Sequence, residues 1–277
     1  MPYFELLCYV FIYSLSLIFP ISSNTHDIAF YQILHWESAP DSLKNSVLLG
    51  IIISLIFYYR HDVLSIVSNF LKLVFTFKKP QSIDEWLFIF ILLSYLPYYF
   101  LRTFLNLQFL ENFATPIWMA CSMLIFTFPL VFAEKRNRKS QRMIDWSWTT
   151  VLFYSVIQSL SIIPGVGRQT LALTAAFGLN FRSSAALKFV LLSYLPFLIH
   201  QYFSPQKSIV FSNPDTSFLS VSFYALIGVG VLSFLIGLVT INYLNKILEN
   251  HSLNKIMIYR IAASLFILYY FLFYKAN

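Results

Sequence analysis

Residues 146–180 read WSWTTVLFYSVIQSLSIIPGVGRQTLALTAAFGLN, an apolar run of helix length interrupted once, at Pro164-Gly165-Val166-Gly167-Arg168, before a shorter apolar run resumes. Proline removes a backbone donor from a helix, and glycine lets the chain turn where other residues resist. The spacing predicts two half-length helices, about 146–163 and 169–179, joined by an irregular turn. A charged group at mid-bilayer depth costs roughly 3 kcal/mol, so Arg168 is expected to face a protein-lined cavity or to do chemistry there. Irregular backbone at that depth requires burial in protein or a wet cavity beside it.

The rest of the chain has the same lipid-soluble character. Of its 277 residues 58% are hydrophobic, 19% aromatic and only 11% charged, with a mean hydropathy of +0.69. No water-soluble domain of this length carries such a surface. The apolar runs are about 15 to 24 residues long, and they lack the strict alternation of an outer-membrane barrel. An all-α polytopic membrane protein follows, one integral domain over residues 1–277 with about six to eight spanning helices. The spans are expected near 3–21, 46–59, 86–105, 113–133, 185–203, 218–241 and 256–274, with the broken pair between the fourth and fifth. Residues 63–77 read as an interfacial helix or part of a tilted span, and residues 22–45 as a polar outer segment. The first apolar run has no Lys or Arg before it and no Ala-x-Ala after it, so it is expected to be a retained helix.

The formal charge is +7. The basic residues fall in short loops rather than in a patch interleaved with exposed aromatics, so no nucleic-acid partner is expected. Lys135, Arg136, Arg138, Lys139 and Arg142 form the densest cluster, and Arg60, Lys72, Lys78, Lys79, Lys246, Lys255 and Arg260 are assigned to two further loops. The positive-inside bias makes these cytoplasmic and turns residues 22–45, 103–112 and 204–217 outward. The basic loops also suit anionic lipid headgroups. Cys8 and Cys121 lie in separate apolar stretches and read as core packing residues, without a disulfide or a metal site. Trp36, Trp86, Trp146 and Trp148 are assigned to an aromatic belt, His35, His61 and His251 to solvated loops, and His200 to the interface.

A second interruption follows the first helix at Pro20-Ile-Ser22-Ser23-Asn24-Thr25-His26. Its approach, Ser14-Leu-Ser-Leu-Ile-Phe-Pro20, has a near copy in Ser159-Leu-Ser-Ile-Ile-Pro164, and Leu92-Leu-Ser-Tyr-Leu-Pro97 recurs as Leu191-Leu-Ser-Tyr-Leu-Pro196. Two repeat-related halves, about 1–133 and 146–277, are therefore expected, each contributing one broken or re-entrant helix to a site between them. The hydroxyls of residues 22–25 would equally serve to cap a helix. Arg168 adds a fork of five donors that fits phosphate oxygens, and amide groups at a glycine-rich helix start favour the same anion. If Ser22 or Ser23 and His26 reach its cavity, a hydroxyl, an imidazole and a guanidinium meet, which are the parts phosphoryl transfer needs.

At these two places the chain resembles the undecaprenyl-diphosphate phosphatases, or bacitracin-resistance proteins. That family carries E-G-x-T-E-F-L-P-[IV]-S-S-x-G-H and P-G-x-S-R-S-G, aligned here with residues 13–26 and 164–170. The resemblance continues through Asn45 to Asp62, Ala133-Glu134-Lys135, His251-Ser-Leu and Ile258-Tyr-Arg260. It implies hydrolysis of a polyprenyl diphosphate lipid to the monophosphate on the outer face of the bacterial inner membrane, recycling the carrier for cell-wall synthesis. It further implies Ser23 as nucleophile or phosphate-contacting hydroxyl, His26 as acid/base and Arg168 as phosphate clamp. Ser22, Asn24, Gly165, Gly167, Gln169, Thr170 and Tyr13 would line the substrate site.

Family glutamates become Tyr13 and Leu17 here, the serines flanking the arginine become Gly167 and Gln169, and the glycine before the histidine becomes Thr25. The Mg²⁺ or Ca²⁺ that the family implies as cofactor thus loses its carboxylates, and Glu5, Asp27 or Glu37 would have to substitute. The alternative reading keeps the fold and anion pocket in a protein that binds or moves the lipid phosphate without hydrolysing it. A homodimer is compatible with either.

Overall fold

The computed structural model describes residues 3–77, 80, 82–105, 110, 112–204, 222–250 and 252–274, with the backbone alone at residue 250. Helix α1 (Tyr3–Ile18) stops before Pro20, and α2 (Ser23–Gln32) starts where Ser22, in extended conformation, accepts the Thr25 N–H on its Oγ at 3.3 Å. That capping hydroxyl satisfies one of the amides every helix start leaves free. The two form a hairpin: Tyr9 in α1 donates to Asp27 in α2 at 2.9 Å.

Then come α3 (Asp41–Tyr58), α4 (Arg60–Thr76) and α5 (Ile83–Phe104), followed by α6 (Pro116–Ile125) and α7 (Thr127–Arg136), which make one span broken at Phe126. A second hairpin joins α8 (Trp148–Ser159), with its 3-10 extension Leu160–Ile162, to α9 (Arg168–Gly178). The chain closes with α10 (Ser183–Phe203), α11 (Phe223–Asn250) and α12 (Asn254–Tyr269). Among the described residues six helices are long and apolar enough to cross a membrane: Asp41–Tyr58, Ile83–Phe104, Pro116–Arg136, Ser183–Phe203, Phe223–Glu249 and Asn254–Tyr274. The protein is a polytopic helical membrane protein, with α1 and α8 as shorter apolar helices.

Side-chain contacts define the two ends of this bundle. At one, Asn137 donates to the Phe181 carbonyl at 2.9 Å, Asp62 pairs with Lys188, and the Leu253 amide donates to Glu134 Oε1 at 2.7 Å. This end gathers the close of α7 and α9 and the start of α4, α10 and α12, together with the densest basic cluster. At the other, Lys44 in the first turn of α3 pairs with Asp27 at 2.8 Å. The α1–α2 hairpin therefore enters from the Lys44 end and the α8–α9 hairpin from the basic end. Three spans follow each hairpin.

Some expectations change here, and others take their place in the bundle. The polar segment 22–45 contains α2, because Ser22 caps a turn that the following residues continue. Lys246, Lys255 and Arg260 are helical rather than in loops, and Arg260 is fully buried, so it is no topology marker. Trp146 is not in an interfacial belt: it is buried, stacked 4.0 Å from Phe181 and 3.8 Å from Phe189. Cys8 and Cys121 are half-buried free thiols rather than core residues. The two Leu-Leu-Ser-Tyr-Leu-Pro copies lie in α5 and α10, which run in the same direction from the basic end. Residues 63–77 coincide with α4, which starts at the basic end and is not among the six long apolar helices. Lys78, Lys79 and His251, with most of residues 204–217, lie outside the described residues.

Candidate active site

The two hairpin tips touch. Gly165 (φ +91°) and Gly167 (φ +82°) adopt backbone angles that side chains resist, and a Cβ on Gly165 would collide with the Met119 carbonyl of α6. A Cβ on Gly167 would lie 3.3 Å from the Ile21 carbonyl of the opposite tip. Thr170 Oγ1 donates to the Pro20 carbonyl at 3.0 Å, and Gln169 Nε2 donates to the Leu17 carbonyl at 3.3 Å. Segments about 150 residues apart in the chain are thereby fixed side by side.

Arg260 fastens this junction from behind. Its Nη1 donates to the Pro20 carbonyl at 2.8 Å and to Thr170 Oγ1 at 2.7 Å, its Nη2 to the Met123 and Val166 carbonyls at 3.0 and 3.2 Å, and its Nε to Thr127 Oγ1 at 2.8 Å. One guanidinium thus satisfies acceptors from both tips and from the broken span. Such full pairing is what lets a cation persist in a membrane interior.

Arg168 is its opposite. It is 9% exposed, yet its buried Nε, Nη1 and Nη2 have no hydrogen-bond partner among the described residues. Its guanidinium lies over aromatic rings, 4.1 Å from Phe197, 4.7 Å from Tyr98 and 5.9 Å from Tyr95. Cation–π contacts are worth roughly 0.5–2 kcal/mol and leave the in-plane donors free. Arg168 also lines a cavity of about 150 Å³.

The cavity brings together most of the residues singled out in the sequence. Tyr13, Ser22, Ser23 and Asn24 line it from the first hairpin, and Gly165, Gly167, Arg168 and Gln169 from the second. The first residues of two helices, α2 and α9, therefore border one space, and helix starts favour anions. The two serines differ. Ser22 Oγ accepts from the Thr25 amide and hydroxyl, whereas the Ser23 hydroxyl has no partner among the described residues. Thr170 is buried behind the lining, in the Arg260 network. His26 is placed outside the lining: Nδ1 meets the Ser22 carbonyl at 2.6 Å, and Nε2 meets the Tyr259 hydroxyl of α12.

Sequence reasoning passed over two further cations of the cavity. Lys44 and Arg102 lie in or beside segments poor in positive charge, and a cation in such a segment is the signal that could have found them. His200, in the last turn of α10, also lines the cavity, its Nε2 3.0 Å from Ser204 Oγ. Among the described residues Asp27 is the one carboxylate in the lining. Tyr9 occupies one of its oxygens and Lys44 the other. No group of three His, Cys, Asp or Glu able to hold a metal occurs among the described residues. With that carboxylate engaged by an ammonium and a phenol, the donors among the described residues do not fit a divalent cation held by the protein.

Fold and cavity define a class: a polytopic membrane protein with an Arg168-lined cavity where two opposed helical hairpins meet. Residues 10–266 match the family described as bacitracin resistance protein BacA, and the chain belongs to that family. It is also 29% identical over 249 residues to Undecaprenyl-diphosphatase 1 of Pseudoalteromonas translucida (strain TAC 125), an alignment covering 87% of this chain and 88% of that protein.

Proposed function

We propose that the protein hydrolyses undecaprenyl diphosphate, or a closely similar polyprenyl diphosphate, to the monophosphate and inorganic phosphate at the outer face of the bacterial cytoplasmic membrane. The observation that carries this reading is the Arg168 guanidinium, buried and without a hydrogen-bond partner among the described residues, at a cavity that two helix starts share. An uncompensated buried cation costs several kcal/mol, which a phosphate seated on its free donors offsets. The activity in the relative's name is hydrolysis, and this favours hydrolysis over carriage of the lipid.

The reaction breaks the bond between the terminal phosphorus and the bridging oxygen, and water's oxygen ends on that phosphorus. Arg168 and the amides at the start of α9 take the charge that grows on the phosphoryl oxygens. Ser23 meets the reacting phosphate with its free hydroxyl. His26, bound to the Ser22 carbonyl, positions the serine turn from behind. Lys44, held at the cavity wall by Asp27, takes the second phosphate. The leaving group is then a monophosphate paired with an ammonium, which eases its departure.

The test is phosphate release from undecaprenyl diphosphate by the purified protein in detergent. Arg168→Ala is expected to lower the rate by at least about 10²-fold, the loss typical of a removed charge-stabilising donor. A wild-type protein no faster than this variant overturns the reading.

A further inference from the structure

Hydrolysis of a diphosphate needs a group that takes the proton of the attacking water. His26 is not placed for it, because it lies outside the lining with Nδ1 on the Ser22 carbonyl and Nε2 on the Tyr259 hydroxyl. Asp27 has one oxygen on Tyr9 and the other on Lys44. His200 is placed differently. It lines the cavity in the last turn of α10, three residues after Phe197, whose ring lies 4.1 Å from the Arg168 guanidinium. Residues three apart share a helix face. The imidazole packs against Tyr95 and Tyr99 of α5, with 5.7 Å between ring centres in each case, and Tyr95 in turn lies 5.9 Å from the same guanidinium. A single ring thus stands between His200 and Arg168.

The two ring nitrogens are in different states. Nε2 lies 3.0 Å from Ser204 Oγ, while Nδ1 has no partner among the described residues and is not sealed from solvent. An Nε2–H donated to the serine leaves Nδ1 with its lone pair free, the form a general base requires. Arg102 of α5, Arg168 of α9, Lys44 of α3 and Asp27 of α2 are the charged groups around the same cavity, and Tyr95 and Tyr99 are the phenols whose rings meet the imidazole. Among the described residues of the lining, His200 is the one whose side chain ordinarily titrates near neutrality. We infer that His200 is the general base of the phosphatase site, an inference that rests on the hydrolytic reading above. Nδ1 takes one proton from a water whose oxygen bonds to the terminal phosphorus. The bond from that phosphorus to the bridging oxygen breaks, its electron pair leaves on the lipid monophosphate beside Lys44, and the proton on Nδ1 then passes to solvent. In-line displacement sets the attacking oxygen opposite the leaving one, and the two side chains suit this because different elements hold them, α5 against His200 and α2 against Lys44.

The test is the pH profile of kcat for phosphate release from undecaprenyl diphosphate by the purified full-length protein. The wild type is expected to lose rate on the acid side of neutrality, as the imidazole takes up a proton. His200→Gln is expected to lower kcat by about 10²-fold or more, to leave KM within about threefold and to remove that acid limb. Imidazole added to His200→Ala is expected to restore part of the lost rate, which a packing role would not allow. Melting curves report that both variants are folded. An active wild type whose kcat and acid limb survive in His200→Gln overturns the inference and leaves the phosphatase reading intact. So does a limb that disappears in His26→Gln and persists in His200→Gln, which would return the proton to His26. A wild type no faster than Arg168→Ala removes the phosphatase reading, and this inference with it.

Discussion

Arg168 and Arg260 are both buried guanidinium groups, and they differ in every hydrogen bond they make. Arg260 donates to five neutral acceptors. Arg168 donates to none among the described residues. Removing the first strands acceptors at about 1–3 kcal/mol each, so Arg260→Met is expected to lower the unfolding temperature strongly and to reduce activity with it. Removing the second relieves an uncompensated charge. Arg168→Met is expected to leave thermal stability unchanged or raised while phosphate release is lost, and parallel melting curves and rate assays check the pair. Arg168 was legible in the sequence because a lone cation among glycines has no bland explanation nearby. Arg260 was not, since it follows Lys255 closely and only the fold reveals that a turn and a half of helix carries it inward.

The Asp27–Lys44 pair separates two roles at the same scale. If Lys44 binds the second phosphate, Lys44→Met is expected to raise KM for the diphosphate by roughly ten- to a hundredfold with a smaller change in kcat, whereas loss of a base would lower kcat. Asp27→Asn, which frees the ammonium without removing it, is expected to move KM in the same direction by less. A collapse of kcat at constant KM in Asp27→Asn would make the carboxylate a proton acceptor rather than a tether.

At the scale of elements, the tips depend on backbone that has no room to change. Gly165→Ala sets a methyl against the Met119 carbonyl at a φ of +91°, so the tip must move or the helix α6 must yield. The expected outcome is loss of activity with a melting temperature lowered by several degrees, the consequence of strain at a special φ. Both breaks could be read in advance, because proline, glycine and polar residues interrupt apolar runs there. The helix α2 could not. Its residues Ser23–Gln32 have little apolar periodicity, and it forms because Ser22 caps it and Tyr9 and Lys44 hold Asp27 against its neighbours. Trp146 misled for a related reason: a tryptophan before a span suggests an interface until Phe181, from the far end of the hairpin, is seen stacked on it.

At the scale of the whole molecule, opposed hairpins bring one tip from each end to a common depth, and the cavity they form opens toward Lys44 and Arg102 rather than toward the basic cluster. The positive-inside bias puts that cluster in the cytoplasm, which would leave the cavity facing outward. Single cysteines on a Cys8→Ala, Cys121→Ala background decide this. Ser42 is exposed beside Lys44 in the first turn of α3, and Ser140 is exposed in the basic loop. In intact cells a membrane-impermeant maleimide is expected to label Ser42→Cys at once and Ser140→Cys only after permeabilisation. The reverse pattern would turn the cavity inward. Its diphosphate would then have to come from the cytoplasmic leaflet, and carrier lipid released outside the cell could not be the substrate.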